Sequence, residues 1–229
     1  MSAAPKPLVV EFIGTFFLTF LVALAAGSPL APLAIGLGLA ALVYMGGHVS
    51  GAHYNPAVTL ATLVLRLKTA REGAGYIVAQ VAAALAASAV ALFVSGASSA
   101  PKPGLRAKAH PDALPRDVGL EHVFIVEALF TLMLVLVILN VAAHPKTKGN
   151  QYFGLAIGFT IAAAAALGGP VSGGCYNPAV GLGLLAVHTI NAGDIAANAI
   201  LAVVYVSATC LGAYLGAMIF KSQRVDEPS

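Results

Sequence analysis

Charged side chains are scarce in this chain of 229 residues: Asp, Glu, Lys and Arg make up 9% of it, against 59% hydrophobic residues. Soluble domains carry about 25% charged residues, so this composition excludes an ordinary water-soluble globule. The mean hydropathy of +0.89 agrees with that conclusion. The net charge of +3 is scattered over the loops and not clustered, which excludes a nucleic-acid-binding protein. We therefore predict a protein that lies within the lipid bilayer.

Groups that carry out chemistry are scarce as well. The two cysteines, Cys175 and Cys210, lie in apolar stretches and lack the spacing of metal ligands. The sequence contains no paired acid and base, no nucleophile triad and no phosphate-binding glycine loop. The first apolar run, Leu8–Gly27, has no convincing cleavage site, so we interpret it as a retained span and not as a signal peptide. We expect no enzymatic activity, no bound metal and no cofactor.

The apolar segments predict an all-α membrane protein. A helix needs roughly 20 apolar residues to cross a ~30 Å hydrocarbon core. Two shorter apolar segments, Asn55–Leu65 and Asn177–Val187, would each cover only ~15 Å. The sequence therefore predicts six transmembrane helices and two re-entrant half-helices. The six predicted spans are Leu8–Gly27, Ala31–Gly47, Gly73–Gly96, Glu121–Ala143, Tyr152–Gly168 and Ile195–Phe220.

The basic residues of the loops predict the orientation. With a cytoplasmic N-terminus, eight of the 12 Lys and Arg residues fall on the inside and four on the outside. Because cytoplasmic loops carry an excess of Lys and Arg, we expect both termini in the cytoplasm. The membrane is then the plasma membrane, which is the inner membrane if the source is bacterial.

The sequence also repeats itself. At a shift of 122 residues, Tyr54 to Val58 matches Tyr176 to Val180, and Glu11 matches Glu127 at a shift of 116. Each repeat holds three spans, so the two repeats run through the membrane in opposite directions. We expect a single channel domain over 1–229, with inverted repeats at about 8–96 and 121–220 joined by an outer loop at 97–120.

Asn-Pro begins each short apolar segment. Asn caps free backbone N–H groups, and Pro in the first turn of a helix loses no hydrogen bond. Inversion brings the two positive helix ends together near the bilayer centre, where they oppose cations. The asparagines would offer N–H donors there, and unpaired loop carbonyls would line a wet cavity. Such a path suits a neutral, hydrogen-bonding solute. The alternative is that the two Asn-Pro pairs are ordinary helix caps in re-entrant loops. The residues whose backbone carbonyls are predicted to act as acceptors there are Gly51, Ala52, His53, Tyr54, Gly173, Gly174, Cys175 and Tyr176.

Residues 50–58, SGAHYNPAV, and 172–179, SGGCYNPA, resemble the two signature loops of the aquaporin and aquaglyceroporin family. The resemblance implies six spans, two half-helices, a pore in every protomer and a homotetramer in the lipid bilayer. It places Asn55, Pro56, Ala57, Asn177, Pro178 and Ala179 at the pore centre. It also implies that Glu11 and Glu127 support the loops by accepting backbone N–H bonds. A transporter would instead use these glutamates as proton relays.

The sequence departs from the family pattern at its outer filter. Most members carry Arg directly after the second Asn-Pro-Ala, where this chain has Val180. The other filter positions correspond to Ile35, Ala165 and Gly174, and none of them supplies a narrowing aromatic or histidine. Gly181 stands where the glycerol branch usually has Asp, so membership of that branch is not implied.

This filter predicts a wide, apolar constriction. We expect a passive channel for water and small uncharged solutes, namely glycerol, urea, ammonia and metalloid acids such as arsenite. Three alternatives remain at this point: a proton-coupled secondary transporter, a water-only channel and a non-conducting membrane protein. The basic outer loop, with Lys102, Arg106, Lys108 and Arg116, is a candidate source of the positive charge that Val180 does not supply to the filter.

Overall fold

A computed structural model describes residues 6–96, 118–193 and 195–223. Regular secondary structure in these ranges is helical. A π-helical turn, Leu139–Ala143, prolongs α5, and a 3-10 turn, Pro145–Thr147, follows it. The four basic residues of the predicted outer loop lie outside the described residues. The helices are α1 Lys6–Ala25, α2 Ala31–Ser50, α3 Pro56–Val64, α4 Ala70–Ser95, α5 Leu120–Ile138, α6 Phe153–Leu167, α7 Gly169–Ser172, α8 Pro178–Ala192 and α9 Ile195–Ser222.

Five of the helical segments in the described ranges are long and apolar enough to cross a membrane. They are α1, α2, α4, α5 with its π-helical turn, and α9. The predicted fifth span is shorter than expected, because α6 has only 15 residues and the helix is interrupted at Gly168 before α7. Gly168, Gly169 and Pro170 follow one another there, and Gly and Pro are the weakest helix formers.

The second half-helix is longer than the sequence predicted. The apolar segment was expected to end at Val187, but α8 continues to Ala192 and has 15 residues. It ends where Gly193 adopts a left-handed conformation with φ of 78°. This is the usual glycine stop of a helix, which a count of apolar residues does not detect.

The two halves interlock across the middle of the molecule. The half-helix α3 packs on α9, and α8 packs on α4, so each half-helix contacts the last long helix of the other half. Helices α2 and α6 cross at Gly36 and Gly158, which are 122 residues apart. A Cβ atom at Gly36 would lie 2.5 Å from the carbonyl oxygen of Gly158, and a Cβ atom at Gly158 would overlap the carbonyl oxygen of Gly36. The reciprocal contact shows an approximate two-fold relation between the halves.

Polar and apolar side chains are arranged as a bilayer requires. Large apolar side chains are exposed on the outer faces, including Phe93 at 88% and Ile190 at 86%. Buried glutamates, asparagines and threonines lie inside instead. Helices that are apolar around their whole circumference are typical of membrane spans. Of the buried polar side chains, His53, Asn55 and Asn177 belong to the two re-entrant loops, residues 51–55 and 173–177, which connect α2 to α3 and α7 to α8; the others lie on the surrounding helices.

Candidate functional site: a cavity between two re-entrant loops

Both half-helices begin with an asparagine cap. Oδ1 of Asn55 accepts from the backbone N of Ala57 at 2.8 Å, and Oδ1 of Asn177 accepts from the backbone N of Ala179 at 3.0 Å. Asn177 also accepts from the backbone N of Val180 at 3.4 Å. The caps fix the position of both amide groups, whose NH₂ ends are then directed away from their own helices.

Each capping amide crosses to the opposite loop. Nδ2 of Asn55 donates to the carbonyl of Tyr176 at 2.9 Å, and Nδ2 of Asn177 donates to the carbonyl of Tyr54 at 2.8 Å. Both tyrosine carbonyls were expected from the sequence to be unpaired, and that expectation is wrong. An amide NH₂ has two donors, so each asparagine keeps one N–H for another partner.

The two glutamates hold the loops from behind. Oε1 of Glu11 accepts from the backbone N of His53 at 2.9 Å, and Oε2 accepts from that of Tyr54 at 2.7 Å. Glu127 repeats this arrangement, because it accepts from the backbone N of Cys175 at 3.0 Å and of Tyr176 at 2.6 Å. Both carboxylates are fully buried. Hydrogen bonds to a charged acceptor are among the strongest available, so the loops are rigidly held.

Serine and tyrosine hydroxyls complete the support. Ser50 and Ser172 begin the two motifs, but neither the motifs nor the hydropathy pattern had indicated their role or the tyrosines. Ser50 and Ser172 each donate to the nearby glutamate at 2.6 Å. The hydroxyl of Tyr76 donates to the carbonyl of Ser50 at 2.7 Å, and that of Tyr205 donates to the carbonyl of Ser172. Tyr76 and Tyr205 are 129 residues apart. A search for a third repeat spacing, besides those of 116 and 122 residues, could therefore have identified them from the sequence.

Gln80 breaks the symmetry of the two supports. Its Nε2 donates to Glu11 at 2.8 Å and to Thr59 at 3.1 Å, while its Oε1 is buried without a partner among the described residues. Thr209 occupies the matching place four residues after Tyr205, and its hydroxyl donates back to its own helix. Glu11 therefore has one side-chain donor more than Glu127.

A cavity runs between the two loops. Its empty volume, including its open ends, is about 570 Å³. Nine pairs of lining residues are related by the internal repeat, and Tyr176 is the one further lining residue in the described part of the chain. The pairs are Leu18 and Leu134, Val22 and Ile138, Ile35 and Ile157, Leu39 and Ile161, Val43 and Ala165, Ala52 and Gly174, His53 and Cys175, Asn55 and Asn177, and Val58 and Val180.

All four predicted filter residues line this cavity: Ile35, Ala165, Gly174 and Val180. They come from three helices and one loop, so the fold brings together positions that are far apart in sequence. Val180 is the repeat partner of Val58, so the two halves carry the same side chain at this place.

The half of the cavity beside residues 173–177, here called the second-loop half, has the smaller side chains. Four of its lining residues are smaller than their partners in the first-loop half, which lies beside residues 51–55. These pairs are Val22 against Ile138, Ala165 against Val43, Gly174 against Ala52, and Cys175 against His53. No lining residue in the described ranges is Asp, Glu, Lys or Arg. The cavity wall is thus apolar except at the asparagines, at His53 and along the loop backbone.

Some predicted site residues lie behind the wall and not on it. Among the residues whose carbonyls were predicted to act as acceptors, Gly51, Tyr54 and Gly173 do not line the cavity, while Ala52, His53, Gly174, Cys175 and Tyr176 do. The Pro and Ala residues of both Asn-Pro-Ala segments form the first turns of α3 and α8 and are buried there. The described residues contain no cluster of His, Cys, Asp and Glu that could hold a metal ion.

Comparisons with known proteins agree with this geometry. The family model described as "Major intrinsic protein" matches residues 2–220. A glycerol uptake facilitator protein-like 6 of Lactiplantibacillus plantarum is 41% identical over 180 residues, covering 76% of this chain and 80% of that protein. Aquaporin NIP1-4 of Oryza sativa subsp. japonica is 39% identical over 186 residues, covering 77% of this chain and 64% of its relative.

A solved structure shows the same fold. The aquaglyceroporin from Plasmodium falciparum superposes with a TM-score of 0.76 over 94% of both chains, at 23% sequence identity. The arrangement of spans and half-helices in this chain is therefore aquaporin-like. The family match over nearly the whole chain, the relatives and the shared fold agree, and the chain belongs to the major intrinsic protein family, whose members are passive channels for water and small solutes and not enzymes.

Proposed function

We propose that this channel conducts glycerol, urea, ammonia and metalloid acids such as arsenite in addition to water. The observation that carries the proposal is the composition of the second-loop half of the cavity. Its four filter positions are Ile35, Ala165, Gly174 and Val180, all of them uncharged and either small or β-branched. An arginine at position 180 would place a long, charged side chain in this space, and valine leaves the space to the solute.

Size and polarity both favour a neutral solute larger than water. A polyol can place its carbon skeleton against the apolar wall and its hydroxyls on the asparagine N–H groups and loop carbonyls. Pockets with mostly apolar walls and a few fixed polar groups bind such amphipathic small molecules. The names of two relatives agree with glycerol and water, since one is called a glycerol uptake facilitator protein and another an aquaporin.

The glutamates favour passive conduction over coupled transport. Glu11 accepts four hydrogen bonds and Glu127 accepts three, all from groups that form or brace the loops. A proton relay needs carboxylates that lose and gain protons during the cycle, and protonation here would disrupt the loop support. We therefore assign both glutamates a supporting role and no role in coupling.

The first test is solute permeability of the purified wild type. Proteoliposomes are mixed with water, glycerol, urea or arsenite gradients in a stopped-flow instrument, with and without a proton gradient. We expect all four fluxes to exceed those of empty vesicles, to remain unsaturated at high concentration and to ignore the proton gradient. Saturable flux that follows the proton gradient would support the transporter, and water flux alone would support the water-only channel.

We also propose how the chain is placed and assembled in the membrane. The excess of Lys and Arg on one side supports cytoplasmic termini in a plasma membrane, or in the inner membrane of a bacterium. Two inverted halves, at about 8–96 and 121–220, form one pore in each protomer. A homotetramer is the assembly that the resemblance implies. Native mass spectrometry tests the tetramer, and labelling of single cysteines added at the two termini tests the orientation.

A further inference from the structure

The cavity wall carries no charged side chain in the described ranges, but a carboxylate lies directly behind each loop. Glu11 binds the backbone N–H of His53, and Glu127 binds that of Cys175, and both of these residues line the cavity. A negative charge this close to a pore favours cations. The positive ends of α3 and α8 oppose this preference near the middle.

A lysine lies beside Tyr76, the tyrosine that supports the first loop. Nζ of Lys68 donates to the hydroxyl of Tyr76 at 3.0 Å and lies 4.7 Å from the centre of the Tyr76 ring. The Tyr76 ring in turn packs edge-on against the ring of His53, with 5.1 Å between the centres. No carboxylate of the described residues lies within 4.0 Å of Lys68 Nζ, and nearby Glu72 instead caps the start of its own helix. The ammonium charge is therefore not paired at contact distance.

The second-loop half has no such cation in the described ranges. Tyr205 supports its loop as Tyr76 does, through a hydrogen bond to a serine carbonyl. Lys68 precedes Tyr76 by eight residues, but the residue eight positions before Tyr205 is Ala197. Within 118–193 and 195–223 no ammonium or guanidinium group lies over the Tyr205 ring.

We propose that Lys68 is a charge-selectivity residue of this channel, which raises the barrier to cations from the first-loop half of the pore. The inference rests on the proposed function as a channel for uncharged solutes. Lys68 acts through space and does not touch the solute, since Tyr76 and His53 lie between its ammonium group and the cavity. It acts in the half that has the larger lining side chains, at Val43 and His53, where a passing ion is most confined.

The distances set the size of the effect. The 4.7 Å from Lys68 Nζ to the Tyr76 ring centre and the 5.1 Å from there to the His53 ring centre place the charge within about 10 Å of the cavity wall. At an effective dielectric constant of ~20, a unit charge ~10 Å away slows the entry of a monovalent cation on the order of tenfold. An uncharged solute experiences no comparable barrier.

The test compares cation leakage with water and glycerol permeability in the same proteoliposomes. Thallium(I) influx, read by a trapped fluorescent indicator, reports a cation of potassium size. The variants are Lys68→Met, which removes the charge and keeps the length, and Lys68→Arg, which keeps the charge. Arg71→Met is the matched control, because Arg71 is an exposed cation three residues away.

We expect Lys68→Met to increase thallium influx on the order of tenfold while water and glycerol permeability stay within about twofold of wild type. Lys68→Arg and Arg71→Met should both keep the low wild-type influx. Unchanged thallium influx in Lys68→Met, with normal water flux, would overturn the inference and leave the proposed function intact. Equal increases in Lys68→Met and Arg71→Met would also overturn it, because surface charge would then explain both. A wild type without water or glycerol flux would refute the proposed function itself and, with it, this inference.

Discussion

Replacing either supporting glutamate by glutamine should destabilise the protein to a similar extent. The substituted amide keeps one acceptor oxygen but turns the other into an NH₂ group. In Glu127→Gln that NH₂ faces the backbone N–H of Tyr176, so two donors meet and neither is satisfied. In Glu11→Gln the NH₂ faces the backbone N–H of Tyr54 and the Nε2 donor of Gln80.

Gln80 does not remove this cost at Glu11. Its Oε1 is buried without a described partner, and its Nε2 donates to Glu11 and to Thr59. A rotation of the Gln80 amide by half a turn would present Oε1 to the new NH₂ at position 11, but it would move Nε2 away from Thr59 to a place where its N–H groups have no described partner. At Glu127, Thr209 stands in the matching position and binds its own helix, so the new NH₂ itself stays unpaired.

The loss of stability follows from counting unpaired donors. Each variant leaves one buried backbone N–H unpaired, which costs about 1–3 kcal/mol. Each also leaves one buried amide NH₂ unpaired, that of Gln80 in Glu11→Gln and that of the new side chain in Glu127→Gln, which costs a further ~1–3 kcal/mol. At roughly 2–4 °C per kcal/mol for a chain of this size, each variant should lose at least about 4 °C of Tm.

A thiol-reactive fluorescent dye suits the measurement in detergent. The chain has no tryptophan, whereas Cys175 is buried and Cys210 is half-buried, so unfolding exposes both thiols to the dye. Gln80→Leu is the control, because Glu11→Gln made in that background still leaves one backbone N–H and one amide NH₂ unpaired and should show the same Tm loss. A smaller Tm loss for Glu11→Gln than for Glu127→Gln that disappears in the Gln80→Leu background would show that Gln80 compensates, and would contradict this prediction.

Two further predictions concern packing and access. Gly183→Ala should lower the free energy of unfolding by about 1–3 kcal/mol, because the added Cβ would lie 2.7 Å from the backbone of Ala84; Gly169→Ala, which meets nothing within 4 Å, is the control, and equal thermal stability of the two variants would contradict this account. Mercurial reagents should slow water flux by reacting with Cys175, which lines the cavity. The substitution Cys175→Ser should abolish this inhibition, whereas Cys210→Ser should retain it. Inhibition that persists in Cys175→Ser would place the reactive thiol elsewhere.

The half-helices could be predicted from sequence because their signals are local and occur twice. Asn55 and Asn177 each begin a short apolar segment, and the caps expected there are present. The spacing of 122 residues is sufficient by itself to pair the two loops. The family followed from the same residues, and the family model and the relatives confirm it.

The contacts across the gap could not be predicted in the same way. That Asn55 binds the carbonyl of Tyr176 depends on how closely the two loops approach, which no spacing in the sequence records. The smaller size of Ala165 compared with Val43 was visible in the sequence, but it has meaning only once both are known to line one cavity. The extension of the second half-helix to Ala192 was also missed, because a count of apolar residues does not detect that Gly193 ends the helix.

The central claim is that valine at position 180 admits solutes larger than water, and paired substitutions test it most directly. Glycerol, urea and water permeability of wild type are compared with those of Val180→Arg and of Val180→Met, which adds length without charge. The account predicts that Val180→Arg lowers glycerol and urea permeability by about tenfold or more, equivalent to at least ~1.4 kcal/mol of barrier, while water flux stays within about twofold. Val180→Met should have the smaller effect. Glycerol permeability that is unchanged in Val180→Arg would contradict the account, as would a wild type that conducts water alone.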